Sequence, residues 1–351
     1  MSKAAQTYYT FVGERFPDSS GGIYRCIFSE KDNKFLKEGQ LDCLPMVSYV
    51  SMDNSGMYAC CAGSSRKGSI LHAYRINQKQ KQMSLSDSKD LSVSGISHVN
   101  FDSKGDRLLA TSYADGYVLV YDFKDGKIGN LLGLEKTSGR SINPDRQEAS
   151  HPHSVFASPD DRFLVVSDLG ADKLLVFALK DDGSLKKVTG WNAPAGSGPR
   201  HFEFHSNNGM GYLLTELSSQ IFTFSVGQDK LLKRQVERTI SESFKDENLA
   251  AEIRLSKDLK YLYVSNRGEN SIVQYGVDVT GTITRLNRVS TRGWPREIEL
   301  SSDGRYLFVL NEEYADSIGE IEAFQIEHHS GRLISCDAFH RVPMAYTFIL
   351  L

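Results

Sequence analysis

The sequence of 351 residues predicts an all-β protein, a seven-bladed β-propeller. A strand pattern recurs about every 50 residues, a turn signal recurs inside it, and the two chain ends look like the halves of one incomplete repeat. The pattern is clearest in residues 251–275. Ile253 and Leu255 belong to a first alternating run, Ser256, Lys257 and Asp258 make a turn, residues 261–265 form a second β-rich run, and a third run ends on Tyr275 after a polar loop. Three such strands are a meander, and a fourth after the aromatic completes a blade.

Aligned on that aromatic, the copies carry Tyr24, Tyr74, Tyr121, Phe177, Phe224, Tyr275 and Phe324, spaced 50, 47, 56, 47, 51 and 49 residues apart. The turn before the second strand recurs at Asp53 to Gly56, Asp102 to Gly105, Ser158 to Asp161, Ser206 to Gly209, Ser256 to Asp258 and Ser301 to Gly304. The first copy lacks it and opens on residues 8–12, which resemble a second strand. At the other end, residues 343–348 resemble the first strand of the second copy, residues 45–50. The C-terminal strand, 343–349, is therefore expected to pair with the N-terminal strand and complete the first blade, leaving no free sheet edge at the junction. No break in composition interrupts the repeats, so residues 1–351 are expected to form a single domain.

A near balance of 41 basic against 44 acidic residues gives a net charge of −3 and no global field, which argues against a nucleic-acid partner. The first residues lack an apolar leader, and no apolar run approaches the roughly 18 residues that span a bilayer, so a cytoplasmic protein without membrane association is expected. The five cysteines (Cys26, Cys43, Cys60, Cys61, Cys336) show neither CxxC spacing nor a Cys/His cluster and read as reduced, structural thiols. There is no phosphate-binding glycine loop, no serine-nucleophile elbow and no metal spacing among the nine histidines. His151 and His153 would share a strand face, but no third ligand accompanies them, so neither metal nor cofactor is expected.

In an antiparallel pair the start of the first strand and the end of the second lie at one edge of the blade, and in a propeller that edge rings the mouth of the central channel. The first-strand positions there are Ser48, Ser97, His153, Arg200, Ala251 and Arg296 in copies two to seven. The second strands end on Asp168, Glu216, Asn266 with Arg267, and Asn311 with Glu312 in copies four to seven. Singly, each is ordinary: a lone histidine or arginine near a strand end is usually satisfied structurally, and Asp168 and Asn266 are of types that bond loop backbone. Together they place a histidine, three arginines and several carboxyl groups on one face of four consecutive blades. Cations converging on a partly enclosed mouth call for an anionic ligand. Copies one to three, with few charges there, are expected to be scaffold. The longest connection, 122–150, carries Arg140, Asp145, Arg146 and Glu148 into the charged half and reads as a lid or a surface loop.

Six segments complete the picture: His151-Pro152-His153-Ser154; Ser167-Asp168-Leu169-Gly170 followed by Asp172; Gly196-Ser197-Gly198-Pro199-Arg200-His201; Thr215-Glu216; Tyr263-Val264-Ser265-Asn266-Arg267-Gly268; and Pro295-Arg296. Taken together they resemble the seven-bladed propeller lactonase family, which includes 6-phosphogluconolactonases and carboxy-cis,cis-muconate cyclases. The resemblance implies a metal-free, cofactor-free enzyme that makes or opens a lactone, with His153, Arg200, Glu216 and Arg267 as its catalytic quartet. His151, Asp168, Asn266, Arg296 and Glu312 are the substrate-binding candidates. The expected reaction is hydrolysis of 6-phosphoglucono-δ-lactone or a similar anionic sugar lactone. Glu216 or His153 would act as general base or acid, and arginines would hold phosphate and oxyanion. A carboxymuconate-type cycloisomerase is the alternative chemistry, and a non-enzymatic propeller that binds proteins is the alternative class.

Overall fold

The computed structural model describes residues 6–14, 21–312, 319–342 and 344–351, over which seven four-stranded antiparallel sheets form a ring. In blades 2 to 7 the strands follow chain order from the channel outward. Their inner strands are Tyr49–Met52, Ile96–Phe101, Pro152–Ala157, Pro199–His205, Leu249–Leu255 and Trp294–Leu300. Blade 1 takes its inner strand, Ala345–Leu350, from the C-terminus and pairs it antiparallel with Thr7–Glu14, Val12 lying opposite Phe348. The ring closes as the repeats predict; Pro343 of the expected closing segment lies outside the described residues. Closure is tight at Gly13, where a Cβ would sit 2.4 Å from Val47 Cγ1.

The core is not one mass but seven layers, one between each pair of neighbouring blades. This explains why the second strands read as continuous apolar runs rather than alternating ones. In Phe163–Asp168, Leu164 and Val166 pack toward blade 3 while Phe163 and Val165 pack toward blade 5. Outer strands such as Leu185–Asn192 have one wet face and alternate. The recurrent aromatic has a local role as well. In every blade the pairing of third and outer strands shifts register beside it, as between Val120 and Tyr121 or Gln274 and Tyr275, and such a bulge steepens the twist a propeller blade needs.

The recurrent turn closes on a residue with positive φ, 66° at Gly56, 74° at Gly105 and 70° at Gly304. In blade 6 that place is taken by Leu259, at φ 61°, which is why the sequence pattern stops short there at Asp258. The long connection 122–150 is divided by the structure. Lys127–Lys136 is the outer strand of blade 3, and only residues 137–151 remain as a crossing segment.

Candidate active site

A one-residue irregularity builds the channel mouth. On the inner strands the register against the second strand slips at Tyr346, Ser97, His153, Arg200, Ala251 and Arg296 in six of the seven blades, as when Pro199 pairs with Thr215 but His201 with Leu214. A bulge adds an unpaired residue and re-aims its side chain. Five of these are first-strand positions that the sequence alignment selects; its sixth, Ser48, precedes the unbulged inner strand of blade 2, and Tyr346 fills the place that the alignment leaves empty.

Among the described residues, four guanidinium groups and two carboxylates meet there. Glu216, 2% exposed at the end of the second strand of blade 5, lies 3.0 Å from Arg200 Nε, 3.2 Å from an Arg267 amino nitrogen and 2.7 Å from one of Arg146. Glu312 accepts from Arg296 at 3.3 Å and pairs with Arg267 at 3.7 Å. Arg296 lies over the Tyr346 ring, 3.3 Å from its centroid, and Arg200 also donates to the Ala251 carbonyl. Burial alone would raise the Glu216 pKa, but Arg267, Arg146 and Arg200 prevail and hold it well below the usual carboxylate range. Burial, with Arg267 alongside, brings Arg200 down to about 10, so it stays charged at neutral pH. His153 is pushed well below its usual range by burial and then by Arg200 and His201, and is a neutral imidazole at neutral pH.

Arg200 sits behind Glu216 and borders only a small void beneath, while Arg146, His153, Glu216, Arg267, Arg296 and Glu312 line a cavity of about 420 Å³. Its other wall is uncharged: Ser48, Ser64, Ser69, Ser97 and Tyr113 come from blades 2 and 3. The expectation that the first three copies are only scaffold is therefore corrected, because two of them supply the hydroxyl-lined half of the cavity.

The described residues offer no group of three or more His, Cys, Asp or Glu side chains arranged to hold a metal ion. A sequence profile described as "Lactonase, 7-bladed beta-propeller" matches residues 9–350. The chain belongs to the seven-bladed β-propeller lactonase family. It is 28% identical to the 6-phosphogluconolactonase of Bacillus subtilis (strain 168), over 96% of each chain, and 27% identical to that of Formosa agariphila, over 86% of this chain and 89% of the relative. Among solved structures, the periplasmic gluconolactonase of Pseudomonas aeruginosa superimposes with a TM-score of 0.87 at 25% identity over 99% of both chains. A protein from Lactobacillus plantarum superimposes at 0.89 and 25% identity, over 99% of this chain and all of that one.

Within this lactonase, three of the predicted binding residues turn out to hold the architecture. His151 stacks on Tyr113, 4.3 Å between centroids, and spends both ring nitrogens, Nδ1 on the Tyr113 carbonyl (2.7 Å) and Nε2 on Glu148 (2.9 Å). Asp168 is fully buried and accepts from the backbone N–H of His151 and Ala171 and from the Ser150 hydroxyl. Asn266 is tied to Thr239 and Asn248. None of the three lines the cavity, because a saturated side chain under a loop has nothing left to offer a ligand. Asn266 ties down the connection from blade 5 to blade 6 at Thr239 and Asn248, and His151 and Asp168 seat residues 137–151. Gly170 belongs to the same device, since a Cβ there would strike the Ala149 carbonyl at 1.9 Å. The seated segment delivers Arg146 to Glu216, a site residue with no counterpart in the repeats. Its only sequence signal is its place in the long connection.

Because each bulge turns one residue into the channel, the next residue also faces inward and forms a second tier, Thr347, His98, His201, Glu252 and Glu297, which Tyr49 of the unbulged blade 2 joins. Burial, reinforced by nearby Glu252, raises the Glu297 carboxyl to about 8. Its folded value lies above its unfolded one, so its contribution to stability is complete below about pH 4.5 and is lost as pH rises through 8, at about 1.4 kcal/mol per pH unit per proton. Raising the pH from 5 to 8 is expected to lower Tm, and Glu297→Gln to flatten that slope. Parallel slopes in the two proteins would show that another group carries the proton.

Proposed function

We propose that the protein hydrolyses an anionic sugar lactone, 6-phosphoglucono-δ-lactone or a close relative, without a metal or cofactor. The observation that carries this reading is the charge imbalance of the cluster at the cavity: among the described residues, Arg146, Arg267 and Arg296 on the wall and Arg200 behind it pair with Glu216 and Glu312, an excess of two positive charges, which is the charge of a phosphate monoester dianion. The 6-phosphogluconolactonases of B. subtilis and F. agariphila, to which the chain is similar, support it.

Roles follow from bonding. Arg267 and Arg296 share Glu312 through the longest contacts in the cluster, so they are the guanidiniums most ready to turn to phosphate in bidentate fashion. Arg200, fixed by Glu216 and the Ala251 carbonyl behind the cavity wall, favours the negative charge that develops on the lactone carbonyl oxygen through its field rather than by direct contact. Glu216, ringed by three guanidiniums, is a weak base and serves to hold them together. His153, neutral and on the cavity wall, accepts the proton of the attacking water and returns it to the ring oxygen as it leaves. A bound dianion offsets the neighbouring arginines and raises the basicity of His153 when it is needed.

The test is calorimetric titration of 6-phosphogluconate and of gluconate into wild type, Arg200→Ala, Arg267→Ala and Arg296→Ala. The phosphorylated ligand is expected to lose about tenfold to a hundredfold in affinity in Arg267→Ala and in Arg296→Ala, each charge-assisted contact being worth roughly 1.5–3 kcal/mol, with little change for gluconate, and less in Arg200→Ala, which makes no contact with the phosphate. Equal binding of both ligands by wild type would end the phosphosugar reading. It would favour an unphosphorylated lactone, as the name of the P. aeruginosa relative suggests, or a carboxymuconate-type diacid followed by diene absorbance.

A further inference from the structure

The second tier contains a histidine that the proposed chemistry leaves unused. His201 is 1% exposed; its Nδ1 lies 2.7 Å from Glu252 Oε1, while its Nε2 is buried without a partner. Glu252 is fixed in turn by the Ile253 N–H at 3.0 Å and by Arg254. One tier above, His153 Nδ1 is likewise buried without a partner. The two rings are 5.4 Å apart between centroids, and both line a void of about 10 Å³ shared with Ser97, Arg200 and Glu252. A void of that size, about one probe sphere, admits a single water, and buried polar nitrogens are satisfied in folded proteins as a rule.

We propose that a water molecule in this void joins His153 Nδ1 to His201 Nε2, which makes His201 and Glu252 positioning residues that fix the tautomer of His153. The proposal rests on the reading of His153 as the proton acceptor. The Glu252 carboxylate accepts the His201 Nδ1 proton, so His201 Nε2 presents a lone pair to the void. The water donates to that lone pair and accepts from His153 Nδ1–H. His153 Nε2 is then bare on the cavity side, the form a general base requires. When water adds to the lactone carbonyl, one of its O–H bonds breaks and the proton joins His153 Nε2. As the ring C–O bond breaks, the same proton passes to the departing oxygen, and His153 returns to its starting tautomer. Arg200 and Arg296 from the mouth, and Arg254 from below, face this pair of rings, with Glu216 and Glu252 as the opposing charges.

Two measurements decide it. In His201→Phe, kcat is expected to fall at least tenfold while KM and the Kd for 6-phosphogluconate stay within twofold, and His201→Gln, whose carbonyl can accept from the same water, should recover part of the loss. In wild type, nitrogen NMR of labelled histidines is expected to show the Nδ1–H tautomer for both His153 and His201. If His153→Ala keeps a normal rate, the catalytic reading of His153 fails. If His153→Ala is impaired but His201→Phe turns over normally, only the relay fails. An Nε2–H tautomer at His153 in the free enzyme overturns the relay even if His201→Phe does not fold.

Discussion

Glu216→Ala is expected to lose a hundredfold or more in lactone turnover and to unfold more easily by about 3–5 kcal/mol, the usual cost of stranding buried charge by removing its partner. Glu216 is the shared counter-ion of Arg146, Arg200 and Arg267, so its loss leaves three guanidiniums repelling one another in a buried corner. The defect has a signature that a packing loss would lack: inorganic phosphate should raise the Tm of Glu216→Ala by several degrees more than that of wild type, because the anion replaces the missing charge. Glu216→Gln, which keeps the volume, should behave like the alanine variant. Turnover within threefold of wild type would show that the arginines organise themselves without it.

Deleting residues 343–351 is expected to abolish cooperative folding. The deletion removes the inner strand of blade 1, with Phe348, Ile349 and Leu350 all buried, and uncovers the edge of Thr7–Glu14. Burying each of these large side chains contributes roughly 1.5–3 kcal/mol, and the backbone ladder and two blade interfaces are lost with them, against a total stability of about 5–15 kcal/mol for a typical folded domain. A soluble truncation with the wild-type Tm would mean that the ring holds without its closing strand.

Both results depend on features that the sequence shows to different degrees. The ring was legible because the aromatic and the turn sit where every blade has the same needs, a twist-inducing bulge and a tight reversal. The mouth was legible for a related reason: counting from a fixed turn along paired strands gives position, and so His153, Arg200, Glu216, Arg267, Arg296 and Glu312 come out on the same edge. What that count cannot show is direction. A one-residue bulge leaves no residue type behind, so strand alternation would have turned His201 and Glu252 away from the channel, when they face into it. Tyr346 was within reach, since residues 343–348 aligned with residues 45–50 put it opposite Ser48. Arg146 has no repeat equivalent, and only the folded path of residues 137–151 brings it to Glu216. His151, Asp168 and Asn266 mark the opposite error, where proximity to the mouth in sequence stood for access to it in space.

The two surplus positive charges at the cavity carry a consequence for the end of the reaction cycle. Hydrolysis of a lactone creates a carboxylate, so on the proposed reaction the product leaves with one more negative charge than the substrate brought. The arginines that capture the substrate therefore grip the product harder, and the released acid becomes a strong competitive inhibitor while proton transfer still sets kcat. Added salt then works in opposite directions. It weakens capture, lowering kcat/KM, yet it loosens the bound acid and relieves product inhibition until screening over about 8–10 Å at physiological ionic strength has blunted both effects.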